Sequence, residues 1–386
     1  MDTDLVVQRA DLFKSLFPAT DIRYAVKANP APPVLRALVS AGVGFDVASV
    51  AELELCLSCD AQPADIVFSN PIKKVSAIAA AHKLGVTHFT SDSISDVENL
   101  AQFAPRSEVS IRMVASGSGA VGPFGNKFGC GPAETVEAVL RAVEVGLRPG
   151  IAFHVGSQQN DIDAWRECIV AAAEVSRAVE SSGVTIGRLN IGGGFPVSYD
   201  RACLELVDIA RLVHTLVADL FTVRPQVMVE PGRYLVAPAG IVEAEVVLVS
   251  RRPAGTDLRW VFLDVGRYNG LPEVENEAIK YPLSLVRAHS APTEEVILSG
   301  PTCDGDDILY QNARYRLPLD LGPGDRIRIH NTGAYTASYS SVGFNGIPPL
   351  QVICVGTHGD AGRPLMTTTG GEPTSDLFLP ANGVEL

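Results

Sequence analysis

Between residues 22 and 235 the chain alternates short, nearly continuous apolar runs with longer segments whose apolar positions recur at helical spacing. The runs at 22–26, 44–47, 66–69, 88–90, 109–114, 151–155, 188–191 and 227–229 read as strands. One intervening segment opens on Pro32 and Pro33, where a missing N–H does no harm, and stops at Gly42. Another puts Trp165, Cys168, Ile169, Ala172, Val175 and Val179 on one face and ends near Gly183. Eight strands separated by helices is the count of a (β/α)8 barrel, which an open doubly wound sheet seldom reaches. The expected fold class is α/β, with a TIM-like barrel over residues 1–235.

After Leu235 the texture changes. Runs at 241–250, 258–264, 295–298, 325–330 and 350–355 are short and separated by Pro and Gly, the pattern of a mostly antiparallel β domain over residues 236–356. Residues 357–386 are rich in Gly, Thr and Pro and read as a loosely held tail.

A (β/α)8 barrel gathers its chemistry at the C-terminal ends of its strands. Those ends carry Lys27, Asp46, Asn70, Asp92, Arg112, His154, Gly192, Gly193, Gly194 and Glu230. A strand-end lysine is most often a surface charge. Lys27, however, follows Tyr-Ala-Val on a strand that a barrel buries, and a desolvated lysine is a nucleophile able to form Schiff bases.

Composition narrows the field. With 386 residues, 46% hydrophobic and 19% charged, the chain has length for one large domain and a smaller one. A net charge of −13 argues against nucleic acid, which needs a basic face, and favours a cationic small molecule. No apolar run reaches the ~18 residues of a membrane helix, and the acidic Met-Asp-Thr-Asp start shows no signal peptide. Seven irregularly spaced cysteines indicate reduced thiols and a cytoplasmic protein. Cys56 and Cys59 stand at helical spacing with no second pair, so they read as packing thiols and no metal is expected.

Further motifs sharpen the chemistry. Gly192, Gly193 and Gly194 follow the seventh strand, where barrels often bind phosphate, and allow N–H groups to converge on an anion; glycine runs also make plain turns. Glu230-Pro-Gly232-Arg233-Tyr ends the eighth strand. Its Glu and Arg could form a structural ion pair. Beside a lysine and a phosphate loop, they are also suited to a heterocyclic nitrogen and a phosphate, the two anchors of pyridoxal 5'-phosphate. His154, followed by Gly-Ser157, ends the sixth strand and is placed to stack on a ring, with the hydroxyl near the phosphate. The β domain adds Gly-Pro-Thr-Cys303-Asp304-Gly-Asp306-Asp307, Thr-Gly-Ala-Tyr335-Thr and Phe344-Asn-Gly.

In combination YAVKAN, GFDVAS, FHVGSQ, GGGFP, EPGRY, GPTCDG and GAYT, from residue 21 to 355, resemble the fold-type III pyridoxal-phosphate decarboxylases, an alanine racemase-like group, in its ornithine/lysine branch. The resemblance implies that Lys27 holds the cofactor as a Schiff base, with Asp46 and Arg112 supporting its charge state and His154 stacked on the ring. It implies phosphate ligands at Ser157, Gly192, Gly193, Gly194, Gly232, Arg233 and Tyr335, and Glu230 on the pyridine nitrogen. It also implies a homodimer with shared active sites. There Cys303 comes from the second copy to protonate Cα, and Asp304 takes the distal amine of a basic amino-acid substrate.

Two features depart from the pattern. Few residues precede Lys27, and the strand usual before the first barrel helix is not visible. The stretch after Tyr268 lacks the Tyr-Asp pair of eukaryotic ornithine decarboxylases; Glu273, Glu275 or Glu277 could replace that carboxylate or form a solvated helix face. Asp306 and Asp307 add negative charge beside Asp304, which suits a side-chain amine. The expected reaction is decarboxylation of ornithine or lysine to putrescine or cadaverine, with Glu277, Tyr268 and Phe344 beside Asp304 in the substrate site. The alternatives are a decarboxylase for a modified or carrier-tethered amino acid, a same-fold racemase, and an inactive regulatory homologue.

Overall fold

A computed structural model describes residues 1–123, 127–251, 258–359 and 377–380. It divides into two compact units, one of Val6–Val197 with Cys203–Leu235 and one of Met1–Leu5, Ser198–Ala202 and Val236–Leu386. A single cut after 235 would therefore leave two short segments, at the start of the chain and after the glycine motif, with the barrel, whereas they group with the second unit.

The first unit is a closed barrel of eight parallel strands: β1 (Asp21–Ala25), β2 (Gly44–Val47), β3 (Ile66–Phe68), β4 (His88–Ser91), β5 (Glu108–Arg112), β6 (Arg148–Ala152), β7 (Arg188–Asn190) and β8 (Gln226–Val229). Neighbours in sequence are neighbours in space, and β8 closes on β1. Register aligns the strand tips: Ala25 pairs with Asp46, Arg112 with Ala152, Ala152 with Asn190, and Asn190 with Met228. The long helix Asp163–Glu180 buries Trp165, Cys168, Ile169, Ala172, Val175 and Val179, the face its spacing predicts.

A helix not read from the sequence, α1 (Thr3–Leu16), precedes β1. Phe13 stacks on Phe17 and meets Phe195 edge-on, with ring centroids 4.9 Å apart in each pair. That contact fixes the chain just beyond the three glycines. At the N-terminal rim of the barrel, Arg188 bonds Asp21 at 2.9 Å and also Glu108, while His88 Nε2 lies 3.0 Å from Ser110 Oγ. A cleft of about 480 Å³ opens there, lined by Glu108, Leu147, Arg148, Thr185 and Arg188 among others. It is at the opposite end of the strands from Lys27.

The second unit holds a six-stranded sheet of β9 (Ile241–Arg251), β10 (Arg259–Leu263), β11 (Leu283–Leu285), β12 (Thr293–Ser299), β13 (Ile308–Pro318) and β14 (Arg326–His330). Its order is β11-β14-β9-β10-β12-β13, antiparallel except for the β10–β12 pair. The run at 350–355 forms no strand. Its backbone groups serve other partners: Leu350 N–H goes to Asn269 and Val355 N–H to Met1, leaving one bridge between Val355 and Asp2. The expected tail, 357–386, lies largely outside the described residues, but Phe378 pairs antiparallel with Leu283. No described helix is long and apolar enough to cross a membrane.

Candidate active site

The strand tips of the barrel bring together most of the polar residues expected there. β1 ends at Ala25, and Lys27 sits in the single turn Val26–Ala28 just beyond it. That displacement leaves the lysine side chain 47% exposed, more open than a strand position buried in the barrel. Lys27 Nζ lies 3.3 Å from Oδ2 of Asp46, whose carboxylate on β2 is buried.

Glu230 follows β8 and is buried. Desolvation, reinforced by the negative charge of Asp46, pushes its carboxyl up to about 7, against the opposing effects of Ser69, Lys27 and Asn190. Its Oε1 accepts from Ser69 Oγ at 2.5 Å and from Asn190 Nδ2 at 2.7 Å. Neither donor was read from the sequence. Asn70, the neighbour that was, bonds Ala48 and Ile72 of its own loops, and Asp92 accepts the Gly129 N–H. A strand-tip pattern locates such a group to within a residue, and the backbone bend decides which of two neighbours points inward.

His154 is half-buried, and its pKa is driven well below the usual value, first by desolvation and then by Arg112 and Lys27. Its Nδ1 accepts the Gly156 N–H at 3.0 Å, so the neutral ring carries its proton on Nε2. Arg112 closes β5, and burial lowers its pKa against the pull of Glu230, Asp92 and Asp46.

The three glycines are wedged between strand ends. A Cβ on Gly192 would lie 2.5 Å from the Phe153 carbonyl oxygen, and one on Gly193 would lie 2.6 Å from that of Glu230; Gly192 also has φ +67°. Close backbone approach thus requires these glycines independently of any anion. Gln158, in the FHVGSQ motif, clasps Val197 through both its amide atoms at 2.5 and 2.7 Å, tying the loops after β6 and β7. Arg233 Nη2 lies 3.2 Å from Ser157 Oγ, uniting two of the expected phosphate ligands.

Lys73 was also missed. Its side chain is wholly buried and bonds the carbonyls of Asn70, Pro71 and Thr90 at 3.1, 3.0 and 2.7 Å and Asp96 Oδ2 at 2.7 Å. It pins the rim after β3 to that after β4.

In the second unit, Cys303 is exposed and its N–H is bonded to Asn345 Oδ1 at 3.2 Å. Tyr268 and Phe344 lie 4.8 Å apart, centroid to centroid, and Asp304 is close enough to raise the Tyr268 hydroxyl, after desolvation. Tyr335 is half-buried with φ +54°, a left-handed backbone that an aromatic residue rarely adopts.

Two expected contributors have other work. Glu277 accepts three backbone N–H groups, from Gln311, Asn312 and Ala313 at 2.7, 2.6 and 2.7 Å. Those bonds make it the clamp of β13 rather than a ligand for an amine. Asp307 is buried, and its carboxylate takes Arg267 N–H, Thr302 N–H and Thr302 Oγ1. It ties down the loop carrying Cys303 and Asp304 and adds no free charge beside them. Glu275 is paired with Arg267.

A reachable amine beside a buried carboxylate, a second buried carboxylate, a neutral imidazole and an Arg–Ser pair gather at one rim of the barrel, a donor set that an aldehyde cofactor with a basic ring nitrogen and a phosphate would fit. The comparisons agree. A family model described as pyridoxal-dependent decarboxylase, pyridoxal binding domain, matches residues 3–237. The lysine/ornithine decarboxylase of Selenomonas ruminantium is 31% identical over 347 residues, covering 89% of this chain and 85% of that protein. The Vibrio vulnificus lysine/ornithine decarboxylase complexed with putrescine superposes with a TM-score of 0.83 at 29% identity, covering 92% of this chain and 93% of that one. The Paramecium bursaria Chlorella virus arginine decarboxylase bound to agmatine gives 0.84 at 26% identity, covering 92% and 95%. The chain belongs to the pyridoxal-dependent decarboxylase family. Its cofactor is pyridoxal phosphate, and the donor set fits that group: an amine for the aldehyde, a carboxylate with one oxygen uncommitted, and an arginine–serine pair for the phosphate.

Proposed function

We propose that this protein removes the α-carboxylate of a basic L-amino acid, ornithine or lysine first, releasing CO2 and a diamine. The observation that carries the reading is the convergence of Lys27, Asp46 and Glu230 at the tips of β1, β2 and β8. The relatives whose names specify lysine, ornithine and arginine decarboxylases support a cationic substrate.

Lys27 would hold the cofactor covalently, and Asp46 and Arg112 would balance charge around it. The neutral ring of His154 would pack on the cofactor ring, and Glu230 would face the ring nitrogen. Ser157, Arg233, Gly232 and the turn of Gly192, Gly193 and Gly194 would take the phosphate. Bound there, pyridoxal phosphate would supply an electron sink for the pair left at Cα by CO2 loss. Cys303 then gives its thiol proton to Cα, so that one proton replaces the lost carboxylate, and Asp304 receives the distal ammonium between Tyr268 and Phe344.

We place Cys303 and Asp304 in the active site of a second copy, as in a homodimer with two shared sites. The exposure of Cys303 in a single chain supports this. All seven cysteines are free of disulfides, which supports a reducing compartment such as the cytoplasm.

The test is a product assay on purified protein supplied with pyridoxal phosphate and, in separate reactions, L-ornithine, L-lysine and L-arginine. A diamine or agmatine with stoichiometric CO2 is expected. Racemised substrate with no CO2, or no turnover of any basic amino acid, rejects the reading.

A further inference from the structure

Glu230 is gripped from one side only. Ser69 and Asn190 both donate to Oε1, at 2.5 and 2.7 Å, and among the described residues Oε2 accepts no hydrogen bond. The two donors are anchored independently of the carboxylate. Ser69 follows β3, with its N–H bonded to the Val47 carbonyl at 3.1 Å. Asn190 closes β7, is buried, and takes the Gly192 N–H on its Oδ1 at 2.9 Å. That second bond fixes which end of the amide is oxygen, so the end facing Glu230 is a donor.

The arrangement has a chemical consequence. A carboxylate accepts two such bonds on one oxygen readily, and charge-assisted bonds are about twice as strong as neutral ones. Protonation would weaken both bonds and, with Oε1 already saturated by donors, would put the new hydrogen on Oε2. Glu230 would then present a donor where a ring nitrogen bearing a proton needs an acceptor. Burial and the Asp46 charge press toward that protonated form, and Ser69 and Asn190 oppose them.

We propose that Asn190 and Ser69 are positioning residues that hold Glu230 as an anion with Oε2 turned to the cofactor ring, Asn190 also linking this carboxylate to the glycine turn. The proposal rests on the reading that Glu230 faces the ring nitrogen.

The test uses the full chain labelled with carbon-13 at the glutamate carboxyl and freed of cofactor. The Glu230 resonance is assigned by its loss in Glu230→Gln. Asn190→Asp keeps an acceptor for Gly192 but removes the donor to Glu230; Ser69→Ala removes the other donor; Ser69→Thr retains it. Asn190→Asp and Ser69→Ala should each raise the Glu230 titration midpoint by about one pH unit and weaken pyridoxal phosphate binding, read by absorbance, about tenfold above neutral pH. Ser69→Thr should restore both values. An unchanged midpoint in Ser69→Ala and Asn190→Asp overturns the proposal, and Ser69→Ala, which removes a single oxygen, decides alone if the Asp variant does not fold. Should Glu230→Gln retain full cofactor affinity and activity, the assigned role of Glu230 falls, while the cofactor-free midpoints still decide whether these two residues govern its charge.

Discussion

Asn190 and Glu230, at the ends of neighbouring strands of the barrel, are joined by a 2.7 Å hydrogen bond from Nδ2 to Oε1, while the other end of the same amide receives the Gly192 N–H. The carboxylate and the glycine turn, which sequence motifs present as separate features, are thus parts of one hydrogen-bonded unit. The Glu230 N–H extends it by bonding the Gly192 carbonyl at 2.8 Å. A shift in the turn therefore moves the carboxylate as well.

Glu230 should leave a mark on stability in the cofactor-free protein. Its folded pKa of about 7 lies above the ordinary carboxyl value of 4.5, so the fold binds this proton more tightly than the unfolded chain does. The contribution is complete below pH 4.5 and is lost as pH rises through about 7. Denaturant unfolding of wild type and Glu230→Gln should show wild type losing on the order of 3 kcal/mol relative to the variant across that window. A constant difference contradicts the buried environment described for Glu230.

His88 acts in the opposite sense. Burial pulls its pKa down to about 4, with Arg188 and Arg23 adding to the effect and Glu108 opposing it. Its folded pKa is depressed below the ordinary 6.5, so its contribution is present above pH 6.5 and is lost as pH falls toward 4. His88→Gln, which keeps a polar group near Ser110, should flatten the acid limb of a melting-temperature profile. An identical acid limb would show that His88 is not buried neutral.

Lys73 should behave as a structural keystone. Lys73→Met removes four hydrogen bonds at once and strands the partly buried Asp96 carboxylate. A loss of about 3 kcal/mol in unfolding free energy is expected, together with weaker pyridoxal phosphate binding because the rim carrying Ser69 loosens. Wild-type stability would mean that this buried ammonium is dispensable.

Much of this was legible in the sequence because barrel geometry is periodic. Eight apolar runs fixed the architecture, and the polar residues read at their ends, Lys27, Asp46, Arg112, His154 and Glu230, do stand at one rim of the barrel. Residues whose roles depend on tertiary hydrogen bonds were not legible. Ser69 lies one position from the residue singled out, and Asn190 reads as an ordinary strand residue beside more conspicuous glycines. Glu277 and Asp307 look like free acidic charge in sequence, but backbone N–H groups occupy them in the fold. Lys73 shows the same limit: nothing local tells a buried lysine from a solvated one.

Cys303 should control the fate of the electron pair left at Cα. Cys303→Ala should slow amine release by about tenfold to a hundredfold, within the usual contribution of a positioned acid. It should also divert a measurable fraction of turnover to a carbonyl product. Chromatographic quantification of amine and carbonyl products checks this, and an unchanged ratio would remove Cys303 from the proton-delivery role.

The most direct test of the central claim is to reduce the cofactor-loaded protein with borohydride, digest it, and locate the modified lysine by mass spectrometry. The account predicts a single pyridoxyl-phosphate adduct on the peptide spanning the end of β1, at Lys27, and none after Lys27→Ala. An adduct on a different lysine, or no adduct in protein that has turned over a basic amino acid, would contradict it.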